Sequence, residues 1–212
     1  MIMDFKPLEY IYIPAAKSCV PTLLLLHGTG GDERDLLSLA KNFGNEFNVL
    51  SVRGNVLESG MPRFFKRIGM GIFDEKDLEF RARELVDFLQ KLAKEKSFDV
   101  SKIIALGYSN GANIAGAILN LQPDFLAGAI LYRPMLPFQN KPFAPVKNNK
   151  PVFMSSGKND PTVNPSATKN YVDLLKKAGF EVSDFDIDTS HNLTQDDLDL
   201  SAKWFNQHFS ID

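Results

Sequence analysis

The sequence predicts an α/β protein with a mostly parallel central sheet and helices on both faces. Short apolar runs bounded by Gly, Pro or polar residues recur along the chain, and each is followed by a segment with helical character. No repeat, low-complexity tract or long linker interrupts this alternation. Strands that alternate with helices imply right-handed crossovers, hence a parallel sheet buried on both sides.

In chain order, the first such strand is Thr22 to Leu26, followed by a helix over Asp35 to Phe43 with apolar Leu36, Leu37, Leu39, Ala40 and Phe43. The strand Val49 to Val52 precedes a helix over Glu79 to Lys94, where Leu85, Val86, Phe88, Leu89 and Leu92 stand among charges, as in a helix laid on a sheet. Ile103 to Leu106 leads into Ala112 to Leu121, which is small and apolar almost throughout, the composition of a helix packed deeply against strands. Strands follow at Ala129 to Tyr132, Val152 to Ser155 and Val182 to Ile187, with helices at Lys169 to Ala178 and Asp197 to Phe209. The least regular stretches, Arg53 to Gly71 and Arg133 to Lys150, both follow strands. In such sheets ligands bind beyond the C-terminal strand ends, so these stretches are candidate walls of a site.

The bulk properties narrow the function. A chain of 212 residues fits one domain, expected to span 1–212. A formal net charge of -2 supplies no large positive field, so nucleic acid is not an expected partner. The single cysteine, Cys19, excludes an intramolecular disulfide and a thiolate metal cluster, and it is expected to be a small buried hydrophobe without a role. The stretch MIMDFKPLEYIYIP lacks the basic start, apolar run and cleavage site of a signal peptide, and Leu23 to Leu26 is too short to cross a bilayer. A cytoplasmic protein without membrane insertion is the expectation.

The chemistry is carried by Gly107-Tyr108-Ser109-Asn110-Gly111, which matches the G-x-S-x-G nucleophile elbow. That turn must lie between a buried strand and a helix, and Lys102 to Leu106 and Ala112 to Leu121 supply both. The serine needs a strained backbone that lifts its hydroxyl above the sheet, and the glycines leave room for strand and helix to approach. The architecture thereby becomes an α/β-hydrolase fold. An ordinary Gly-rich turn is the bland alternative.

A serine hydroxyl is a poor nucleophile until a base takes its proton. Of three histidines, His27 lies ahead of the serine in His27-Gly-Thr-Gly-Gly31, and His208 sits in the last helix beside Phe205 and Phe209. His191 lies in a loop after the last strand, on the sheet edge where the elbow opens, and is the expected base. The carboxylate that orients it should follow another strand between the two. Asp160, in Ser156-Gly-Lys-Asn-Asp160-Pro-Thr-Val163, satisfies this, although an aspartate before proline can also be a plain turn residue. Asp184, Asp186 and Asp188 are rivals on or just after the strand feeding the histidine loop, and Asp124 follows a helix. The oxyanion needs two convergent backbone N–H groups. Asn110 and Thr29 are chosen, the second from a Gly-rich loop that lacks the lysine and spacing of a phosphate-binding loop.

Four blocks, Leu26-His-Gly-Thr-Gly-Gly-Asp32, Gly107-Tyr-Ser-Asn-Gly-Ala112, Gly157-Lys-Asn-Asp-Pro-Thr-Val163 and Ser190-His191, resemble the phospholipase/carboxylesterase family, which includes acyl-protein thioesterases and small bacterial esterases. The resemblance covers nearly the whole chain. It implies that these blocks supply oxyanion loop, nucleophile, acid and base, the same residues already chosen. Pro62-Arg-Phe-Phe65, Phe73-Asp-Glu75 and Leu131-Tyr-Arg-Pro-Met135 resemble more closely a bacterial branch linked to hydroquinone and catechol resistance. Ser190 and Ala112 stand where the thioesterases typically have glycine, and Asn164 intervenes before Pro165, which leaves acyl specificity open.

The expected function is hydrolysis of short acyl or aryl carboxylic esters, or of thioesters, through an acyl-enzyme on Ser109, with no metal or cofactor. The alternative is a catalytically silent scaffold that binds a ligand. Lactones are a further substrate class, without the cysteine nucleophile of dienelactone hydrolases. The expected partner is a small-molecule ester, and a homodimer is left open. No insertion is large enough for a cap domain, so the site should be fairly open. Met61, Phe64, Phe65, Met70 and Phe73 are expected to form an apolar wall for the substrate, with core packing as the rival explanation. Arg63, Lys66 and Arg67 are expected on a solvated face, where one could meet an anionic substrate.

Overall fold

The computed structural model describes residues 5 and 7–209. A strand β1 (Tyr10–Ile13) precedes β2 (Thr22–Leu26), a short helix α1 (Leu37–Ala40) that tightens into a 3-10 turn over Lys41–Phe43, and β3 (Asn48–Val52). Two small hairpins follow, β4 (Val56–Glu58) with β5 (Met61–Arg63) and β6 (Arg67–Gly69) with β7 (Ile72–Phe73). Next come α2 (Glu75–Lys96), β8 (Ile103–Tyr108), α3 (Asn110–Leu121), β9 (Gly128–Tyr132), β10 (Pro151–Gly157), α4 (Pro165–Lys177), β11 (Glu181–Ile187) and α5 (Gln195–Phe209).

Seven strands form one sheet in the order β1-β3-β2-β8-β9-β10-β11, in which β1 alone runs antiparallel. This is the expected α/β-hydrolase architecture, with no large cap among the described residues. The leucine run in β2 shows why the sheet sits at the centre. Leu24 and Leu26 face one core with α2, α3 and α4, while Leu23 and Leu25 face the other with Phe43, Trp204 and Phe205. All four are fully buried, and each contributes about 1.5–3 kcal/mol of transfer free energy. A strand with period-two side chains and both faces covered takes apolar residues on both faces, and the polar Thr22 at its start is buried only with its hydroxyl accepting from Asn48 Nδ2 at 3.2 Å.

Several expectations need correction. The helix expected over Asp35 to Phe43 is confined to α1 and its 3-10 extension. The stretch Arg53 to Gly71 is not irregular but holds most of the two hairpins, whose Pro62, Gly60 and Gly69 hid them from a periodicity reading. Cys19 is exposed in a bend at φ 61°, not buried, and the neighbouring Val20 is the residue buried there.

Candidate active site

Four loops that leave the C-terminal ends of parallel strands meet at one edge of the sheet: those after β2, β8, β10 and β11. Ser109 lies between β8 and α3 at φ 52° and ψ -108°, a left-handed backbone that a serine adopts only when its surroundings impose it. Its N–H donates to the Tyr132 carbonyl at 2.8 Å, and its carbonyl accepts from Asn113 N–H at 3.0 Å. A side chain at Gly111 would overlap the Leu26 carbonyl, and one at Gly107 would overlap the first turn of α3. Both glycines of the elbow are therefore required by close backbone approach.

The structure brings Ser109, His191 and Asp160 together. His191 Nε2 lies 2.9 Å from Ser109 Oγ, and His191 Nδ1 lies 2.6 Å from Asp160 Oδ2. The Asp160 side chain is wholly buried, and its Oδ1 accepts from Thr162 N–H at 2.8 Å. With a carboxylate on Nδ1, that nitrogen carries the proton and Nε2 faces the serine with a lone pair. Tyr108 Oη donates to the His191 carbonyl at 3.1 Å. The acid and base loops are laced together, since Lys158 N–H donates to the Ile187 carbonyl at 2.9 Å and Asn159 N–H to the Thr189 carbonyl at 3.0 Å.

The rival carboxylates have other partners. Asp184 pairs with Lys176, Asp188 accepts from Asn159, Asp124 accepts from the Lys147 amide, and Asp186 is exposed on β11. The other histidines have structural surroundings. His208 donates from Nδ1 to the Trp204 carbonyl at 2.8 Å. His27 is buried with its ring 4.7 Å from that of Phe64. Its Nδ1–H donates to the Gly28 carbonyl at 2.6 Å, and its Nε2 accepts from Gly54 N–H at 3.0 Å. Burial holds its pKa below the usual histidine range, against the pull of the Gly28 carbonyl and of Asp35 and Asp32.

Thr29 follows β2 in a loop fixed by Gly30 N–H, which donates to the Pro62 carbonyl at 2.9 Å. Asn110 supplies the first amide of α3, which has no intrahelical acceptor. Thr29, Ser109 and Asn110 line one small cleft with Met70, Phe73 and Met135. Of the residues expected to wall it, Met70 and Phe73 do so. Met61, 42% exposed, packs beside Gly30 outside the lining, and Phe64 and Phe65 turn into the core. The reason is local: the Asn110 side chain accepts from Phe64 N–H at 2.7 Å, and the Phe65 ring meets that of Phe73 edge-on at 5.0 Å.

Four side chains make buried contacts beside the site that the sequence did not reveal. Arg63, expected in solvent, is buried, and its Nη1 donates to Thr29 Oγ1 at 2.5 Å. Asn110 ties the segment after β5 to α3, and Asn113 accepts from Met135 N–H at 2.7 Å, tying the segment after β9 to the same helix. Arg133 is fully buried at φ 55° and donates to the Asn192 carbonyl beside His191 at 2.8 Å. Asparagine in the nucleophile helix was the available signal, since a polar side chain within so apolar a segment needs a buried partner.

The family described as phospholipase/carboxylesterase matches residues 11–209 of the chain. A relative from Bacillus subtilis (strain 168), the putative hydrolase MhqD, is 45% identical over 185 residues, covering 87% of this chain and 92% of its own. The Bacillus cereus carboxylesterase superposes with a TM-score of 0.92 at 44% identity, over 95% of both chains. YahD, solved with malic acid, superposes with a TM-score of 0.88 at 30% identity, over 95% of this chain and 100% of its own.

Proposed function

The chain belongs to the phospholipase/carboxylesterase family and is a serine hydrolase of carboxylic esters, and from that premise we propose that Ser109 is its nucleophile, His191 its base and Asp160 the group that orients the base. The single observation that carries this assignment is the hydrogen-bonded run from Asp160 through His191 to Ser109, ending on a serine in a strained turn.

The geometry runs the reaction in two halves. His191 Nε2 takes the Ser109 proton as Oγ bonds to the ester carbonyl carbon, and the carbonyl oxygen becomes an anion. In this reading the Thr29 and Asn110 amides donate to that anion, and preorganised donors need no reorganisation as charge develops. The C–O bond to the alcohol then breaks, the alkoxy oxygen takes the proton from His191, and the acyl group remains on Ser109. A water molecule, deprotonated by His191, attacks the acyl carbon, and the bond from that carbon to Oγ breaks as Ser109 takes the proton back from His191 and the acid leaves. Asp160 stabilises the imidazolium in both halves.

The shallow cleft, walled by Met70, Phe73 and Met135, suits short acyl or aryl esters. Among the described residues no helix is long and apolar enough to cross a membrane. We read residues 1–212 as one domain working in the cytoplasm, with a small ester rather than nucleic acid as its partner. Rapid mixing with p-nitrophenyl acetate tests the assignment. A burst of one nitrophenolate per active site, with the acetyl group mapped to Ser109, is expected. An acetyl group on another residue would overturn it.

A further inference from the structure

Ester hydrolysis by itself leaves the charge of the cleft unused. Beside Ser109 the cleft is lined by Arg63 and Arg67 and by no carboxylate. Glu58 pairs with both from the side, 3.2 Å from Arg63 Nε and 2.8 Å from Arg67 Nη2. Two guanidiniums against one carboxylate leave one positive charge uncompensated. The Arg63 side chain is only 4% exposed and that of Arg67 22%, so water compensates little of it. Burial first, and repulsion from Arg67 second, press against the Arg63 charge, and Glu58 offsets them incompletely.

The cleft also leaves a donor unfilled. Arg63 Nε donates to the Phe65 carbonyl and Nη1 to Thr29 Oγ1, while Nη2 has no hydrogen-bond acceptor among the described residues. Asn110 Nδ2 is buried without an acceptor too, and the Phe64 amide, which binds Asn110 Oδ1, fixes which way that side chain points. A native cleft that keeps a largely buried cation and one buried donor without an acceptor next to its nucleophile, with Arg63 Nη2 open to a ligand, suits a group that brings negative charge and acceptor oxygens.

We infer that the cleft selects esters carrying a carboxylate close to the scissile carbonyl, held by Arg67 and by Arg63 Nη2, so that half-esters of short dicarboxylic acids are better substrates than neutral esters of the same length. This rests on the reading of Ser109 as nucleophile, and the covalent steps are those already given. The rival explanation is that Arg63 serves only to hold the Thr29 loop. That role would speed neutral and anionic esters alike, so the ratio between them separates the two.

The test is kcat/KM for monomethyl succinate against dimethyl succinate, followed by pH-stat titration at low salt. A ratio of about ten or more in favour of the anion is expected, falling as sodium chloride screens the pair. Arg67→Gln should lower the ratio at least about fivefold, and Arg67→Lys, which keeps the charge without the planar fork, should restore part of it. A ratio of one or less, or a ratio that neither salt nor Arg67→Gln changes, overturns the inference. The salt dependence of the wild type needs no variant to fold. If Ser109→Ala still hydrolyses both esters, the nucleophile assignment fails instead, a result distinct from a missing charge preference.

Discussion

Arg133 and Asp197 face each other through two hydrogen bonds, Nη1 to Oδ1 at 2.8 Å and Nη2 to Oδ2 at 2.7 Å, with both side chains wholly excluded from solvent. The pair lies behind the base loop. The same guanidinium donates to the Asn192 carbonyl, and the same carboxylate accepts from the Thr194 amide and hydroxyl, so one ion pair holds the backbone on the C-terminal side of His191.

Asp197→Asn should therefore cost stability and activity together. Removing one charge leaves Arg133 buried and unmatched, which costs about 3–5 kcal/mol. Burial alone would raise the Asp197 carboxyl, but hydrogen bonds from Arg133, Ser155 and the Thr194 amide outweigh it and hold the carboxyl below its usual 3.8. A depressed carboxylate stabilises the fold above that value and loses its contribution as pH falls through the lower folded value. Urea denaturation should show a wild-type advantage over Asp197→Asn that is full at neutral pH and shrinks below about pH 4. A constant gap across that window would contradict the assignment.

His27 gives a second pH dependence with a different window. Its folded pKa lies below the usual 6.5, so the unfolded chain binds a proton that the folded chain refuses. Stability is then complete above 6.5 and declines as the pH drops toward the folded value. In His27→Gln this decline should be missing, which a denaturation series between neutral and mildly acid pH will show. Equal slopes in variant and wild type would place the titration elsewhere.

Much of this site was legible because its residues follow strand ends, and strands buried on both faces announce themselves as apolar runs such as Leu23 to Leu26. Less legible was everything held by pairing. Arg63 and Arg133 look like surface residues in a sequence, since nothing local reveals Thr29 or Asp197 across the fold. Phe64 and Phe65 show the converse: an aromatic in a loop suits a pocket or a core equally, and only the Asn110 side chain decides which way the segment faces. β1 escaped notice because an edge strand with partly buried residues lacks the pure apolar pattern.

The choice of acid is testable by replacement. Asp160→Asn should leave the fold intact and reduce kcat about 10⁴-fold, because an amide opposite Nδ1 favours the wrong imidazole tautomer. Asp186→Asn and Asp188→Asn should remain within a few-fold of wild type. Steady-state kinetics of the three variants will discriminate, and equal damage from either control would reassign the acid.

The elbow glycines carry a steric expectation. In Gly111→Ala the added carbon meets the Leu26 carbonyl and must push α3 away from β2, for an overpacking cost of about 1–3 kcal/mol and a displaced Asn110 amide. Thermal unfolding and esterase assay should fall together. A variant with normal melting temperature and normal rate would refute the close approach.

The most direct test of the account is intact and peptide mass spectrometry after treatment with a fluorophosphonate, run beside Ser109→Ala. One adduct per chain is expected, located on Ser109, absent from a variant that is folded but turns over almost no ester. An adduct on any other residue, or near-normal turnover by Ser109→Ala, would contradict the claim that this serine, activated by His191 and Asp160, is the nucleophile.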